Sequence, residues 1–550
     1  MDFLKKLSTE KVTDIIADKY EHINKNTKLA AAVTFFVTVI ANMYVFTNRW
    51  INHDDLMGDF KTGTISTYLG GGKWMQYYFK MIGTEFGAPV IHGILSAVIL
   101  AFTAACLMSI FQIEDKILVV LLGALLGTFP LNACYFGYMS SADIYYFALI
   151  TAVFSVWLVE KNTITGFILG SISLMISLAT YQSYLSVAVG LIVIIYYVKL
   201  MQEETDLKVW FLKGLRDTGM VFAAFFIYQI ATKILLRVNH VSLQAYANED
   251  QLFVFTPSAV LDSVVTGYRN FGSWMYTTNK VSYQGWAYAN IIITLVIAIV
   301  AVYRFFNYIR KKKIVQALLL ALLSLALPIL LNNIYLIMNG RGWIHALTHY
   351  CLILIYILVT VVIQYLPDIC RKVNKPVVNI LQTMGIFGMA VIIYFGFIIS
   401  NQLYTRMNSN MNAINAELTT MMARVSSVEG YTADIPVYFA NCNDLLGENY
   451  HKLDIYSEKI DSGVWTGTDV YPWCNAGHIS TFLEEYMYIQ IPGTPVEKAK
   501  VIDESEELAN MGVYPAEDSI QMIDGVVVVK MRENENNTAE DNIMSETLVE

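Results

Sequence analysis

Apolar runs of about 20 residues recur from Leu29 almost to Ser400. A helix of that length crosses the roughly 30 Å hydrocarbon core of a bilayer. In lipid every backbone polar group must find its partner inside the chain, which leaves helices as the only open-chain way to span it. The pattern therefore predicts an all-α polytopic membrane domain of about eleven transmembrane helices. The expected spans lie near 29–47, 90–111, 117–133, 143–159, 163–180, 183–200, 219–237, 287–305, 314–338, 346–366 and 377–400. A hydrophobic fraction of 55% with 15% charged residues agrees, since soluble chains carry about a quarter charged residues.

Charge divides the chain further. Residues 401–550 hold 25 acids and 8 bases, so the net charge of −9 belongs to the tail and the remainder is net basic. Loops of one parity, counted with the Lys-rich N-terminal segment, hold about 20 bases against about 7 in the opposite short loops. The positive-inside rule then predicts a cytoplasmic N-terminus, a cell-membrane location and an extracytoplasmic C-terminus. The first apolar run is too long for a signal peptide and is expected to remain as a span. Four regions follow: a cytoplasmic segment 1–28, a transmembrane domain 29–400, a soluble α/β domain 401–532 and an acidic, Asn-rich disordered tail 533–550. Within the soluble domain, 401–430 has helical periodicity, while Ile435–Ala440 and Gly525–Met531 read as strands. Cys442 and Cys474 are the pair from which a tail disulfide could form, and no Cys/His spacing of a zinc site occurs. Neither a Walker loop nor a Rossmann fingerprint is present, and nothing points to nucleic acid.

Three expected outer segments are long or polar enough to build a site. The first, 48–89, opens with Asn52-His-Asp-Asp55 and continues through Gly70-Gly-Gly-Lys-Trp-Met-Gln-Tyr-Tyr-Phe79. Asp54 and Asp55 suit a general base with a hydroxyl or divalent-metal ligand, or else are acids of a solvated loop. Glu85, before the second span, and Asp143, at the start of the fourth, are polar groups near the bilayer. They either support the site or complement helix dipoles. The second segment, 239–286, carries Arg269, which either contacts a substrate or forms a structural salt bridge. The third, Asn339-Gly-Arg-Gly-Trp-Ile-His345, places Arg341 where it could meet a lipid phosphate, which guanidinium matches bidentately, or anchor at the headgroups. His345 and His349 have the spacing of metal ligands on a helix, without acids nearby in sequence. Residues 163–200 must form a helical hairpin whose turn carries Tyr181 and Gln182. These side chains either bind sugar hydroxyls or simply close the hairpin.

The ordered set Asn52-His-Asp-Asp55, Gly71-Gly-Lys-Trp74 and Ser177-Leu-Ala-Thr-Tyr-Gln-Ser-Tyr184 resembles the bacterial O-antigen-modifying type II glucosyltransferases, a Gtr-type family of the GT-C superfamily. The resemblance spans most of the chain, including the helix-then-strand tail. It implies a GT-C-like fold, a polyprenyl-phosphate sugar as donor, and transfer on the outer face. Where that family has Gly-Arg-Pro near the Trp, this chain has Gly-Gly-Lys-Trp, leaving Lys73 as the basic residue there.

The expected reaction moves a hexose, glucose by this resemblance, from the lipid carrier to an envelope polysaccharide. Asp54 or Asp55 would be the catalytic base. Arg341, Lys73 and His345 would face the donor phosphate, and Trp74, Tyr181, Gln182, Glu85 and Arg269 the sugar or acceptor. Beyond the lipid donor the sequence requires no cofactor, with a divalent metal left open. A donor-making synthase and a flippase would be natural partners. A transporter, a flippase or a polysaccharide polymerase is the alternative, although few charges lie inside the spans and no internal repeat is visible.

Overall fold

A computed structural model describes residues 20–50, 53–56, 64–82, 88–202, 206–243, 256–276, 284–337, 346–442 and 476–533. Among these, ten helices are long and apolar enough to cross a membrane. An eleventh apolar helix, Ile164–Thr180, has 17 residues. The chain is a polytopic all-α membrane protein with a small α/β part. Two compact units divide it. The first takes residues 20–49 and 64–404, and the second takes Trp50, 53–56 and the described residues from Thr405 onward.

The first unit begins with α1 (Lys25–Thr47), capped by Asn24, whose side chain accepts from Asn26 N at 2.8 Å. After the short α2 (His53–Leu56), which belongs to the second unit, come α3 (Ile65–Gly70), α4 (Trp74–Ile82), α5 (Pro89–Phe111) and α6 (Lys116–Thr128). Asp115 caps α6 through Ile117 N and Leu118 N, at 2.8 and 3.2 Å. Helices α1, α5 and α6 pack together. Close approach of α1 and α6 depends on Gly123 and Gly127, spaced four apart on one face of α6, as small residues are at membrane helix contacts. A Cβ at Gly127 would lie 2.7 Å from Thr38 N. The facing stripe of α1 is polar, but its hydrogen bonds are made locally. Thr34 donates to Ala30 O at 2.8 Å, Thr38 to Thr34 O at 2.6 Å, and Asn42 to Thr38 O at 2.8 Å. Asn42 also reaches Gly127 O, at 3.1 Å.

Next are α7 (Asn132–Gly137), α8 (Ala142–Val159), α9 (Ile164–Thr180), α10 (Leu185–Met201) and α11 (Leu207–Val238). The expected hairpin is present: α9 and α10 are joined by Tyr181 and a 3-10 turn, Gln182–Tyr184. At the opposite end of these helices a charged network ties them together. Arg216 pairs with Asp217 at 2.6 Å and lies 3.7 Å from Glu160, which also pairs with Lys199 at 3.2 Å. Tyr196 donates to Asp217 at 2.6 Å, and Asp217 is 1% exposed. The bundle continues through α12 (Pro257–Tyr276), α13 (Gln284–Arg310), α14 (Ile314–Leu331), α15 (Ile334–Ile337) and α16 (Leu354–Ile369). A 3-10 helix, Ala346–Ile353, precedes α16, and the two form the most enclosed candidate span.

Helix α17 (Lys375–Val425) runs through both the expected last span and the expected 401–430 helix, which are therefore one element of 51 residues. Nothing in the sequence between them breaks a helix, because no Pro or Gly occurs from Phe397 to Glu429. The boundary between the two units falls within it, after Tyr404. In the second unit α17 buries Met407, Met411, Ile414, Leu418, Met421 and Val425 at helical spacing. The sheet comprises β1 (Val437–Ala440), β2 (Ile520–Ile523) and β3 (Val526–Lys530) in the order β1-β3-β2, with β1 parallel and β2 antiparallel to β3. Helices α18 (Ala476–Tyr486), α19 (Val496–Asp503) and α20 (Glu506–Asn510) complete it. Two strands were expected. The third, β2, is a four-residue stretch paired across the Asp524-Gly525 turn. The proposed partner of Cys442, Cys474, lies outside the described residues.

Candidate functional site

Four of the residues singled out above meet in the first unit. Helix α3 ends at Gly70, and the chain reverses through Gly71 and Gly72, the latter at φ +69°. Gly72 N donates to Leu69 O and Lys73 N to Tyr68 O, each at 2.9 Å. This left-handed helix stop favours glycine because a Cβ there crowds the backbone. The turn leaves the Gly71 and Gly72 carbonyls needing partners, and both find side chains from other helices. Gln182 Nε2 donates to Gly71 O at 2.8 Å, and the Tyr228 hydroxyl of α11 donates to Gly72 O at 3.1 Å. The second amide hydrogen of Gln182 goes to the Tyr228 oxygen, also at 3.1 Å.

The flanks of the turn are fixed in the same way. Trp74 is 8% exposed, and its indole N–H donates to Thr232 Oγ1, one turn beyond Tyr228, at 3.0 Å. At Tyr181 the backbone of α9 becomes extended, with φ −159° and ψ 109°, and releases the Thr180 carbonyl. Gln76 Nε2 takes that carbonyl at 2.8 Å. The Gly-Gly-Lys-Trp and Tyr-Gln motifs, far apart in sequence, thus form one hydrogen-bonded corner. Lys73 Nζ stands 5.7 Å from the centre of the Tyr181 ring, within the range of cation–π attraction.

Beneath Tyr181 lies a packed group of tyrosines that sequence reading missed. Tyr181 meets Tyr145 edge-on at 4.9 Å and Tyr184 at 5.9 Å. Tyr184 stacks on Tyr135 at 6.2 Å and contacts Tyr350 at 6.0 Å. These rings come from α7, α8, the hairpin turn and the 3-10 helix before α16, so no local periodicity marks them. The missed partners Tyr228 and Thr232 did carry a signal: polar groups four residues apart, on one face of a mainly apolar helix.

The other predicted residues fall elsewhere. Asp54 and Asp55 sit on α2 in the second unit, where α2 packs against α18. Asp55 is 7% exposed and the adjacent Leu56 1%, so this is a packed turn and not a freely solvated loop. Arg269 is exposed on α12 and forms no ion pair with another described residue. Asp143, in the first turn of α8, lies 3.0 Å from the buried His92 Nδ1, which ties α8 to α5. His349 Nε2 lies 2.9 Å from the Tyr335 hydroxyl. Arg341, His345 and Glu85 lie outside the described residues. Among the described residues no cluster of three or more His, Cys, Asp or Glu side chains is placed to hold a metal ion.

No curated protein and no solved structure matches the chain. A family description, Glucosyl transferase GtrII, matches residues 43–357. That stretch contains the acidic pair, the glycine turn, the Tyr-Gln corner and the Arg341 loop, and stops before α17 and the tail. It covers more than half of the sequence, so the chain belongs to the GtrII glucosyl transferase family.

Proposed function

We infer that this membrane glucosyltransferase takes glucose from a polyprenyl-phosphate carrier and transfers it to an envelope polysaccharide on the outer face of the cell membrane. The observation that most supports this reading is the family match over 43–357, within which the acidic pair and the Lys73 corner are the chemically equipped features. The distribution of basic residues supports a cytoplasmic N-terminus and an extracytoplasmic tail.

The chemistry needs little beyond these groups. Asp54 or Asp55 takes the proton from an acceptor hydroxyl, and the oxygen attacks the anomeric carbon. The bond from that carbon to the phosphate oxygen breaks, and the lipid phosphate leaves with the electron pair. A phosphate is a good leaving group, so donors holding it suffice in place of an acid, and the Lys73 ammonium, the Arg341 guanidinium and the His345 ring have that role. One displacement inverts the anomeric centre. Trp74, Tyr181, Gln182, Glu85 and Arg269 are assigned to the sugar or acceptor.

The test is made in cells carrying Asp54→Asn or Asp55→Asn, each checked for normal membrane abundance, with the surface polymer weighed for a missing hexose. Loss of a general base lowers the rate about 10²–10⁴-fold, so the hexose should disappear in at least one variant. Full glucosylation in both would remove the acidic pair from the mechanism.

A further inference from the structure

We propose that Tyr228 and Gln182 are positioning residues that lock the Gly71–Gly72 turn and so hold Lys73 over the Tyr181 ring to receive the phosphate of the lipid carrier. The clamp follows from geometry alone. Its service to the donor rests on the assignment of Lys73 above. Tyr228 is 6% exposed and Thr232 3%, so these polar groups sit inside the bundle, where an unmet polar atom costs most. They meet the turn and its flank directly: Tyr228 donates to Gly72 O beside the Gln182 bond to Gly71 O, and Thr232 accepts from the Trp74 indole. A lysine is a flexible point charge on a long stem. Its ammonium can be placed only if the backbone beneath it is fixed, and the clamp fixes that backbone on either side of Lys73.

The fit is tight enough to be tested by rescue. A Cβ on Gly72 would lie 2.4 Å from the Tyr228 hydroxyl oxygen and 3.0 Å from Gln182 Nε2. Gly72→Ala should therefore push the turn off its partners. Adding Tyr228→Phe removes the clashing oxygen, since the next ring atom is 3.7 Å away, and should partly restore the turn despite the strain of alanine at φ +69°.

Two readouts are made on the full chain in detergent. The first is the rate of tryptic cleavage after Lys73, which reports opening of the turn without any reference to activity. Cleavage should be slow in the native chain and about tenfold faster in Tyr228→Phe, which loses one or two hydrogen bonds. It should be about a hundredfold faster in Gly72→Ala and slower again in the double variant than in Gly72→Ala. Equal rates in native chain and Tyr228→Phe, or no rescue in the double variant, would overturn the clamp. The second readout is the Kd for polyprenyl phosphate. Lys73→Met and Tyr228→Phe should each weaken it, Tyr228→Phe by about three- to tenfold. If Lys73→Met binds as the native chain does, the phosphate role of Lys73 fails while the cleavage result still judges the clamp. If only Tyr228→Phe leaves binding unchanged, the clamp does not serve the donor and the proposal is refuted.

Discussion

The close contact between α1 and α6 sets the cost of enlarging a glycine there. In Gly127→Ala the new Cβ would sit 2.7 Å from Thr38 N and 3.0 Å from both Thr38 Oγ1 and Val37 Cγ1. Comfortable contact between heavy atoms begins near 3.5 Å, so α1 must retreat by roughly 0.5–1 Å, because the nearest of these atoms belongs to the backbone and cannot rotate away. Overpacking of this kind costs about 1–3 kcal/mol. The Asn42–Gly127 hydrogen bond stretches as well, a loss of about 0.6 kcal/mol in membrane helices. Alanine returns up to about 1 kcal/mol through its better helix propensity. The net is a destabilisation of about 1–3 kcal/mol, read as a fall of roughly 1–4 °C in the unfolding midpoint of the protein in lipid nanodiscs, because the shift per kcal/mol shrinks with the size of the unit that unfolds. Two companion variants calibrate the assay. Gly123→Ala meets Ala30 O and Thr34 Oγ1 at 3.0 and 3.1 Å and should lie near break-even. Gly272→Ala, in α12, meets nothing within 4 Å and should gain about 0.5–1 kcal/mol. The reasoning is refuted if Gly127→Ala unfolds no earlier than the native chain, or if the three variants fall in another order.

Other outcomes are expected elsewhere. Asp217→Ala leaves Arg216 and Tyr196 without their shared, buried acceptor and should cost about 2–4 kcal/mol, whereas Asp217→Asn should cost less; chemical denaturation of the purified protein distinguishes them. In the tail, burial and then Glu417 push the Tyr514 hydroxyl up from 10.0 to about 12. The folded state keeps that proton longer than the unfolded chain, so its stabilisation is complete below pH 10 and is lost as the pH rises toward 12. Tyr514→Phe should flatten this alkaline loss in a pH series of unfolding midpoints, and an unchanged slope would exclude Tyr514 as its source. Arg424→Met removes donors to Pro515 O, Ala516 O and Glu517 O at 2.9, 2.7 and 3.1 Å. It should raise hydrogen exchange in the 513–519 segment ahead of the rest of the tail.

Membrane architecture was legible because a bilayer imposes one length and one polarity on every span. The hairpin at Tyr181 was legible for the same reason, since two spans with no room between them must turn there. The tail was harder. Val526–Lys530 is apolar enough to announce a buried strand, but Ile520–Ile523 carries Gln521 and spans four residues, and only its pairing to β3 makes it one. The unbroken run of α17 was read as two helices because its polarity changes at Ser400, although helix-forming residues continue across the change. At the site, sequence supplied the two halves of the corner and not the bond between them. Gln182 and Gly71 are 111 residues apart, and only the packing of α3, α9 and α11 brings their groups to 2.8 Å. The acidic pair was read as part of one long loop with Lys73, yet the chain assigns it to the compact unit of the tail. That allegiance is set by contacts of α2 with α18, over 400 residues further on, which no local pattern could reveal.

Asn42 closes its polar stripe with an oxygen that accepts from the Tyr404 hydroxyl at 2.5 Å, across 362 residues. During synthesis α1 leaves the ribosome early, and its threonines and the amide nitrogen of Asn42 can be satisfied within the helix itself. The Asn42 oxygen must wait until α17, the last membrane-length helix among the described residues, has been made and inserted. Helices α1 and α17 are thus joined by a bond that can form only once both are in place, and any chain that stops short of Tyr404 leaves the Asn42 carbonyl without this partner.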